Sequence, residues 1–211
     1  MKKNMVLTVI LALGVNTMLF SNENRLSMGF EYGNFFEQRT DGGIGIETYR
    51  GSPGINFSAY HLWDNFGFFH SHSFLFPNKV TANIEGYEYF FEYNFLIGPA
   101  FKIAFTEKMD MHFGFGFGLS PIAGELHNKT LAQFNLGIGG DIGFSYLFNK
   151  IFYINVGAMF SYHFANITSL GTGTYEVDED GDREEIKDRE WSRNYNMAGV
   201  RPYIRIGLSL K

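Results

Sequence analysis

The longest alternating stretch of the chain runs from Tyr87 to Phe105 and reads "YEYFFEYNFLIGPAFKIAF". Every odd position is aromatic, Ile or Pro, whereas the even positions are mostly polar, charged or small, with Phe90 and Leu96 as the apolar exceptions. Side chains of a strand alternate between two faces, while an amphipathic helix needs apolar residues at i, i+3, i+4 and i+7. The stretch is therefore predicted to be a strand. At about 3.3 Å per residue it would reach roughly 60 Å, far beyond the usual strand of a soluble sheet.

Five further segments share this alternation of apolar and polar positions. They are Leu26–Gly33, Met109–Ser120, Ala132–Phe148, Phe152–Phe164 and Val200–Leu210. Two more segments, 55–63 and 66–76, are apolar but alternate poorly, so their facing is not assigned. The pattern thus predicts eight strands.

The connections between these strands alternate between short and long. The short ones are "WDNFGF", "FTEKMDM" and "LFNKIF", and the longer, polar ones cover about 37–53, 77–86, 121–130 and 167–196. Bacterial outer-membrane barrels have an even number of strands, short periplasmic turns and longer outside loops. We therefore predict an all-β protein, an eight-stranded antiparallel up-and-down transmembrane β-barrel.

The N-terminus has the features of a cleaved signal peptide. Lys2 and Lys3 precede an uncharged apolar run at 5–15, and a polar segment follows Ser21. An uncleaved anchor is the alternative, but 11 apolar residues are short for a span of about 20. We predict a signal peptide over residues 1–21 and a barrel domain over residues 22–211.

Composition agrees with a membrane barrel and excludes other classes. The chain has 24 Phe, 12 Tyr and 25 Gly, yet its mean hydropathy is only −0.11, because alternating faces hide apolar surface from any average. With no Cys, neither a disulfide nor a lipoprotein anchor can form. Without Lys2 and Lys3 the chain would hold 15 basic and 22 acidic residues, a formal charge of −7, so no nucleic-acid partner is expected.

The polar face decides between a membrane barrel and a soluble one. A soluble, lipocalin-like barrel would turn its apolar face inward and its charges outward. Here the charge-bearing face consists mainly of Gly, Ser and Asn, which favours a narrow polar interior inside a membrane barrel.

Alternation places eight charged side chains in that interior, where isolated charges would be costly and must pair. The predicted interior charge network comprises Glu31, Glu88, Glu92, Lys102, Asp110, Asp141, Arg201 and Arg205. Because the last strand closes against the first, Glu31 is expected to pair with one of the two arginines. Pro99 and Pro202 interrupt predicted strands, so we expect a bulge or strand end near each.

Signals for chemistry are weak, and we predict no catalytic, metal or cofactor site. His70 and His72 share one strand face and could ligate zinc, but four ligands are usual, and a hydrogen-bonded structural pair is the alternative. For catalysis, the only arrangement that the pattern offers is His163 with Ser161. An acidic segment, 174–191, is predicted to be a solvated, mobile outside loop.

The acidic segment also resembles part of a calcium loop. Asp178, Asp180 and Asp182 match its first three ligands, whereas Arg183 and Arg189 occupy its glycine and glutamate positions. Whether this segment binds calcium stays open. The whole connection 167–196 is the predicted contact surface for an extracellular partner.

The signal peptide, the eight alternating strands and the C-terminal strand together resemble the small outer-membrane β-barrels of the OmpA, OmpX and OmpW type. The Phe-rich and Gly-rich composition is also similar to small barrels of spirochaetes. The resemblance covers about 22–211 and implies an outer-membrane location, contact with outer-membrane lipid and the barrel-assembly machinery, and a monomer. It implies a structural or surface-interaction role through the loops rather than an open pore. The alternatives are a narrow conduit for small or apolar solutes, as in OmpW-like barrels, and a lipid-modifying enzyme.

Overall fold

Eight long strands form one closed barrel in the computed structural model, which describes residues 21–39, 48–76, 87–126, 129–171, 175–177, 183–185, 189–193 and 195–211. The barrel strands are β1 (Glu23–Arg39), β2 (Thr48–Trp63), β3 (Phe66–Leu75), β4 (Tyr87–Ala104), β5 (Met109–Leu126), β6 (Lys129–Leu147), β7 (Phe152–Gly171) and β11 (Tyr195–Leu210). Neighbouring strands pair antiparallel, and β11 closes the sheet by pairing with both β7 and β1. The predicted up-and-down barrel is confirmed. Of the predicted signal peptide, only Ser21 lies within the described residues.

Three short strands follow β7 in the segment that was predicted to be a long loop. β8 (Tyr175–Val177) and β9 (Arg183–Glu185) pair as a small hairpin, and β10 (Arg189–Arg193) pairs with the end of β7. The prediction of a loop over all of 167–196 is therefore wrong at both ends. Backbone pairing continues there because it does not depend on an apolar side-chain pattern. Within the described residues, no helix is long and apolar enough to cross a membrane.

The predicted outward facing of the apolar residues is seen around the barrel. On β4, for example, Phe91, Ile97, Phe101 and Ile103 are exposed, while the intervening Glu92 is fully buried. Large exposed residues of this kind occur on every barrel strand whose side chains are described. The barrel thus has an apolar outer belt around a largely polar interior, the reverse of a soluble protein.

An apolar cluster inside the barrel explains the segments with poor alternation. Tyr60, Leu62, Phe69, Leu96 and Ala100 are all buried and contact one another. Three of them lie on β2 and β3, where apolar side chains therefore occupy both faces. The interior is consequently not purely polar, and Leu96, an exception in the polar face of β4, belongs to this cluster.

At the short-turn end of the barrel, side chains of the turns accept hydrogen bonds from nearby backbone N–H groups. The Thr106 hydroxyl accepts hydrogen bonds from the backbone N–H of Lys108 and Met109. The Asn149 side chain accepts bonds from the next strand in the same way. In the two-residue turn between β2 and β3, Asp64 has a φ of 59°, a left-handed conformation that Asp tolerates better than most residues.

Neither proline inside a barrel strand causes a bulge or an end in its own strand. Pro99 keeps its partner Phe68 on β3, and the register to β5 is the same before and after it. Pro202 likewise keeps its partner Ala158 on β7. Toward the other neighbouring strand, which is β5 for Pro99 and β1 for Pro202, the proline and the residue before it have no pairing partner. The reason is that proline lacks the N–H donor. Near Pro99 the described pairing of β4 shows no bulge or strand end, so the prediction is wrong there. Near Pro202, β11 stays in register with β7, and a register shift lies on the facing strand β1, between Gly33 and Asn34.

Inward-facing glycines make space for large side chains from the next strand but one. A Cβ at Gly114 would lie 2.4 Å from the Phe69 ring, and one at Gly143 would lie 2.4 Å from the Tyr203 hydroxyl. Phe69 is itself fully buried. The high glycine content therefore lets bulky groups fill a narrow interior.

Replacing Gly116 by Ala should destabilise the barrel by about 1–3 kcal/mol, whereas Gly118→Ala should be nearly neutral. Both lie on the inward face of β5, but a Cβ at Gly116 would lie 1.9 Å from the backbone oxygen of Ile97 on β4, which cannot move away alone. At Gly118 the nearest atoms are 3.5 Å away, an ordinary contact. Urea unfolding from lipid vesicles, followed by the different migration of boiled and unboiled samples, would compare them. If both variants lost the same unfolding free energy, the close approach of β4 to Gly116 would be contradicted.

Candidate functional site

A cluster of charged side chains fills the interior near the short-turn end. Nη1 and Nη2 of Arg25 each lie 2.7 Å from one oxygen of Asp110, and its Nε lies 2.7 Å from Glu23. Glu23 also pairs with Lys102 and accepts a hydrogen bond from Ser209. Bidentate pairing of a guanidinium with a carboxylate is among the strongest polar contacts in proteins. This group, the lower cluster, ties β1 to β4, β5 and β11 across the barrel.

A second cluster lies at mid-height beside the apolar cluster. Arg205 on β11 pairs through Nη1 with Asp141 on β6 at 2.9 Å, and neither side chain has any exposed surface. The Tyr203 hydroxyl donates a hydrogen bond of 2.5 Å to the other oxygen of Asp141. The Arg205 guanidinium also stacks 3.4 Å from the centre of the Tyr203 ring. This middle cluster connects two strands that are separated by β7.

A third cluster, nearer the long-loop end, consists mostly of uncharged polar groups. Ser120 donates a hydrogen bond to Glu92 at 2.7 Å, and Asn94 bonds both Glu92 and Arg201. Asn135 donates to the backbone oxygen of Ser120 and accepts from Gln133. All six of these residues are buried. This group, the upper cluster, fills the interior with hydrogen-bonded polar side chains above the middle cluster.

The structure places seven of the eight predicted interior charges in these clusters or next to them. Glu31, Glu92, Asp110, Asp141, Arg201 and Arg205 are buried, and Lys102 is half-buried against Glu23. The side chain of Glu88 lies outside the described residues.

Of the two arginines predicted as partners of Glu31, Arg205 has Asp141 as its ionic partner. Glu31 instead accepts a hydrogen bond of 3.0 Å from Ser73, and its other oxygen has no hydrogen-bond partner among the described residues. Arg201, the other predicted partner, attracts the Glu31 carboxylate electrostatically, so the prediction fails for Arg205 alone.

Two members of the lower cluster, Glu23 and Arg25, were not predicted. Both share the odd-numbered face of Glu31, so extending the alternation two steps toward the N-terminus would have found them. The predicted strand began instead at Leu26, because the polar residues before it were assigned to the segment after the signal peptide.

The arrangement of His163 and Ser161 does not resemble a catalytic pair. Both side chains are buried in the interior, yet neither ring nitrogen of His163 nor the Ser161 hydroxyl has a hydrogen-bond partner among the described residues. A nucleophile and its base need to lie within hydrogen-bond reach of each other.

His70 and His72 lie on the outward face of β3 and are hydrogen-bonded to each other at 3.1 Å. A second bond of 2.7 Å joins His72 to the Tyr93 hydroxyl. Among the described residues, no group of three His, Cys, Asp or Glu side chains could hold a metal ion. The calcium-like residues Asp178, Asp180 and Asp182 lie outside the described residues.

Comparison with solved structures reveals several proteins of the same shape. The chain is similar to OprG from Pseudomonas aeruginosa, with a TM-score of 0.58 and 10% identity over 90% of this chain and 96% of that one. Neisserial surface protein A matches with a TM-score of 0.52 and 12% identity over 85% and 96%. A major outer membrane protein from Thermus thermophilus matches with a TM-score of 0.51 and 11% identity over 89% and 99%.

The chain has the fold of an outer-membrane β-barrel. The likeness, at 10–12% identity, concerns the fold, and the apolar outer belt agrees with a place in the cell outer membrane. No family model matches the sequence, and no curated protein is detectably similar to it. The spirochaetal type stays a prediction.

Proposed function

We propose that this chain is an integral outer-membrane protein with a closed interior, which serves a structural or surface-interaction role through its long-loop end. The observation that carries the proposal is the stack of buried side chains across the interior. The lower, middle and upper clusters occupy three successive levels, and the apolar cluster lies beside the middle one. The largest fully buried side chains of this stack include Arg201, Arg205, Phe69 and Leu96.

The size of the barrel supports a closed interior. Eight strands enclose a space that side chains just fill, whereas open aqueous channels need about 16 strands. A buried arginine paired with a carboxylate is also fixed in place, because separating the two would leave each charge without compensation. The Arg205–Asp141 and Arg25–Asp110 pairs therefore make the closed state rigid.

The barrel wall gives little support to the conduit alternative. A lateral exit would need a gap between neighbouring strands, but all eight seams of the barrel are paired over ten or more residues. The enzymatic alternative is not supported by His163 and Ser161, because their side chains are not hydrogen-bonded to each other.

Strand length supports a role for the long-loop end. β7 has 20 residues and β6 has 19, whereas about 9–11 tilted residues cross a membrane. At the other end of the barrel the strands are joined by short turns. The strand residues beyond those needed to cross the membrane therefore extend the barrel wall on the long-loop side. The β8–β9 hairpin and β10 lie on that side. The result is a raised surface with an acidic segment, suited to contact with an extracellular partner.

Reconstitution in planar lipid bilayers tests the closed interior. The wild-type protein is expected to give no steady single-channel currents, while a 16-stranded porin in the same bilayers should conduct. Insertion is checked separately by protease protection of the reconstituted barrel. Steady currents from the inserted protein would overturn the closed interior and favour the conduit.

Protease treatment of intact cells tests the orientation. Trypsin should cut first within 174–191, after Arg183, Lys187 or Arg189, since nine acidic residues in eighteen leave little apolar surface to bury. A variant with Gln at these three positions should resist this first cut and serves as the control. Cleavage that appears only after the outer membrane is broken would place the long-loop end in the periplasm.

A further inference from the structure

Two histidine rings from neighbouring strands lie side by side near the short-turn end of the barrel. The ring centres of His61 on β2 and His70 on β3 are 5.6 Å apart, and their planes are inclined by 31°. In the register of the two strands, His61 pairs with Phe68, two residues closer to the turn than His70. His61 is itself two residues from Trp63, where β2 ends, a distance of about 5 Å along the barrel axis. His61 and His70 are called the histidine pair below.

A hydrogen bond at Nδ1 fixes the protonation of the His61 ring. Nδ1 lies 2.7 Å from the side-chain oxygen Oδ1 of Asn24 on β1. An amide oxygen only accepts hydrogen bonds, so Nδ1 carries the ring proton and Nε2 keeps its lone pair in the neutral imidazole. Among the described residues, His61 Nε2 has no hydrogen-bond partner although it is buried.

A hydrogen-bonded chain holds His70 in the same way. His70 Nδ1 lies 3.1 Å from His72 Nε2, and His72 Nδ1 lies 2.7 Å from the Tyr93 hydroxyl. A hydroxyl accepts as readily as it donates, so the ring protons of both histidines can point toward Tyr93. In that arrangement His70 Nε2 has a lone pair, and the bond at Nδ1 is the only hydrogen bond of His70 among the described residues.

The same hydrogen bonds turn the two Nε2 atoms toward each other. β2 lies between β1 and β3, so His61, held at Nδ1 from β1, presents the opposite edge of its ring to β3. On β3, His72 lies further from the turn than His70, while His61 lies nearer to it. The edge of His70 that is not bonded to His72 therefore faces His61. The two lone pairs converge on the space between the rings.

The ring spacing of the histidine pair fits an ion that both nitrogens share. An imidazole nitrogen binds Zn²⁺ at about 2.0–2.1 Å, which puts the ion roughly 3.2 Å from the ring centre. The ring centres would then be about 5.2 Å apart at a tetrahedral angle and about 6.4 Å apart in a straight line. The observed 5.6 Å lies between these values and closer to the tetrahedral one. The two rings are not hydrogen-bonded to each other, because His61 Nε2 has no partner among the described residues.

We propose that His61 Nε2 and His70 Nε2 bind one divalent transition-metal ion such as Zn²⁺. Imidazole ligands suit zinc, copper and nickel, whereas magnesium and calcium prefer oxygen ligands. His61 is only 2% exposed and His70 is half-buried, so water completes the coordination from the His70 side. The ion thus has two protein ligands, one from each of two neighbouring strands.

Asn24 and His72 act as positioning residues for this site, since a hydrogen bond to the second ring nitrogen orients a metal-bound imidazole. His72, which shares a strand face with His70, therefore holds a ligand rather than binding the ion. The site goes beyond the proposed function, because it uses neither the closed interior nor the long-loop end. It also departs from the absence of a metal site that the sequence predicts.

Isothermal titration calorimetry of the untagged protein in detergent, with Zn²⁺ as the titrant, measures this binding. The wild-type protein should bind Zn²⁺, and His70→Phe should weaken the binding by about a hundredfold, since two linked ligands bind about 10²–10⁴ times more tightly than one. His127→Phe removes a histidine elsewhere in the chain and is the control, which should leave the affinity unchanged. Migration of unboiled samples shows that each variant is folded. No Zn²⁺ binding by the wild type, or equal binding by the wild type and His70→Phe, would overturn the proposal.

Electron paramagnetic resonance with Cu²⁺ in place of Zn²⁺ identifies the ligands. The wild-type spectrum should show splitting from two nitrogens, and that of His70→Phe splitting from one. The acidic segment 174–191 contains no histidine, so a spectrum without nitrogen splitting would place the ion there and overturn the proposal. His72→Phe loses only a positioning hydrogen bond, so it should keep the signal of two nitrogens while its affinity falls by about tenfold. If His72→Phe rather than His70→Phe removes one nitrogen, His72 binds the ion and the proposal is wrong.

Discussion

Arg205→Ala is expected to destabilise the barrel by about 3–5 kcal/mol, because it leaves the Asp141 carboxylate buried without its counter-ion. Arg205 and Asp141 are fully buried and 2.9 Å apart. After the change, Asp141 would keep the Tyr203 hydroxyl and would lose its only ion pair among the described residues. The stacking of the guanidinium on the Tyr203 ring would also be lost. Urea unfolding from lipid vesicles, monitored by migration of unboiled samples, measures the change.

Two controls separate the loss of a charge pair from the loss of side-chain volume. The double variant Arg205→Met/Asp141→Asn removes both charges and should recover a large part of the stability, since replacing a whole buried pair is far less costly than breaking it. Lys108→Ala removes an exposed charge in a turn and should change stability by no more than about 0.5 kcal/mol. If Arg205→Ala and Lys108→Ala unfold at the same urea concentration, the middle cluster does not hold the barrel together.

Alternation was sufficient to predict the architecture because it is the feature on which a membrane barrel depends most. Lipid favours apolar side chains at the outward positions of the belt, so the period of two is kept along β4, β5 and β6 with few exceptions. The same period places Asp141 and Arg205 on the inward face, and both side chains are buried. Strand number followed from counting alternating segments and turn residues.

The facing of β2 and β3 could not be predicted, because the two sides of these strands do not differ in polarity. Phe69 and Leu62 point inward to the apolar cluster, whereas His70 and His72 lie on the outward face of β3. A binary pattern fails when a buried core shares a strand with a polar outer surface. The outward facing of His70 and His72 was not assigned for that reason, although the two were recognised as a pair.

The alternation of apolar and polar residues also does not predict which buried charges pair with each other. Asp141 and Arg205 are 64 residues apart and lie on strands that are not neighbours. Their contact depends on barrel diameter and on the glycines that thin the wall. Sequence periodicity carries no information on either, so the set of interior charges was predictable but the pair between Asp141 and Arg205 was not.

Arg25→Met should destabilise the barrel by about 3–5 kcal/mol, comparable with the loss of Arg205. Arg25 makes three hydrogen bonds of 2.7 Å to Asp110 and Glu23, all inside the barrel. Glu23 would keep Lys102 and Ser209, but Asp110 would lose its only ion pair among the described residues. The cost therefore comes mainly from Asp110. The same urea titration measures it.

Two further variants show whether geometry or charge matters at this position. Arg25→Lys keeps the positive charge but cannot hold both oxygens of Asp110 in a planar fork, so it should recover only part of the stability. Adding Asp110→Asn to Arg25→Met removes the stranded charge and should recover more than lysine does, because Glu23 is still neutralised by Lys102. If lysine restores the full wild-type stability, the bidentate contact contributes nothing beyond its charge. If Asp110→Asn recovers nothing, the loss in Arg25→Met arises from packing against Tyr153, whose ring centre lies 5.5 Å from the guanidinium.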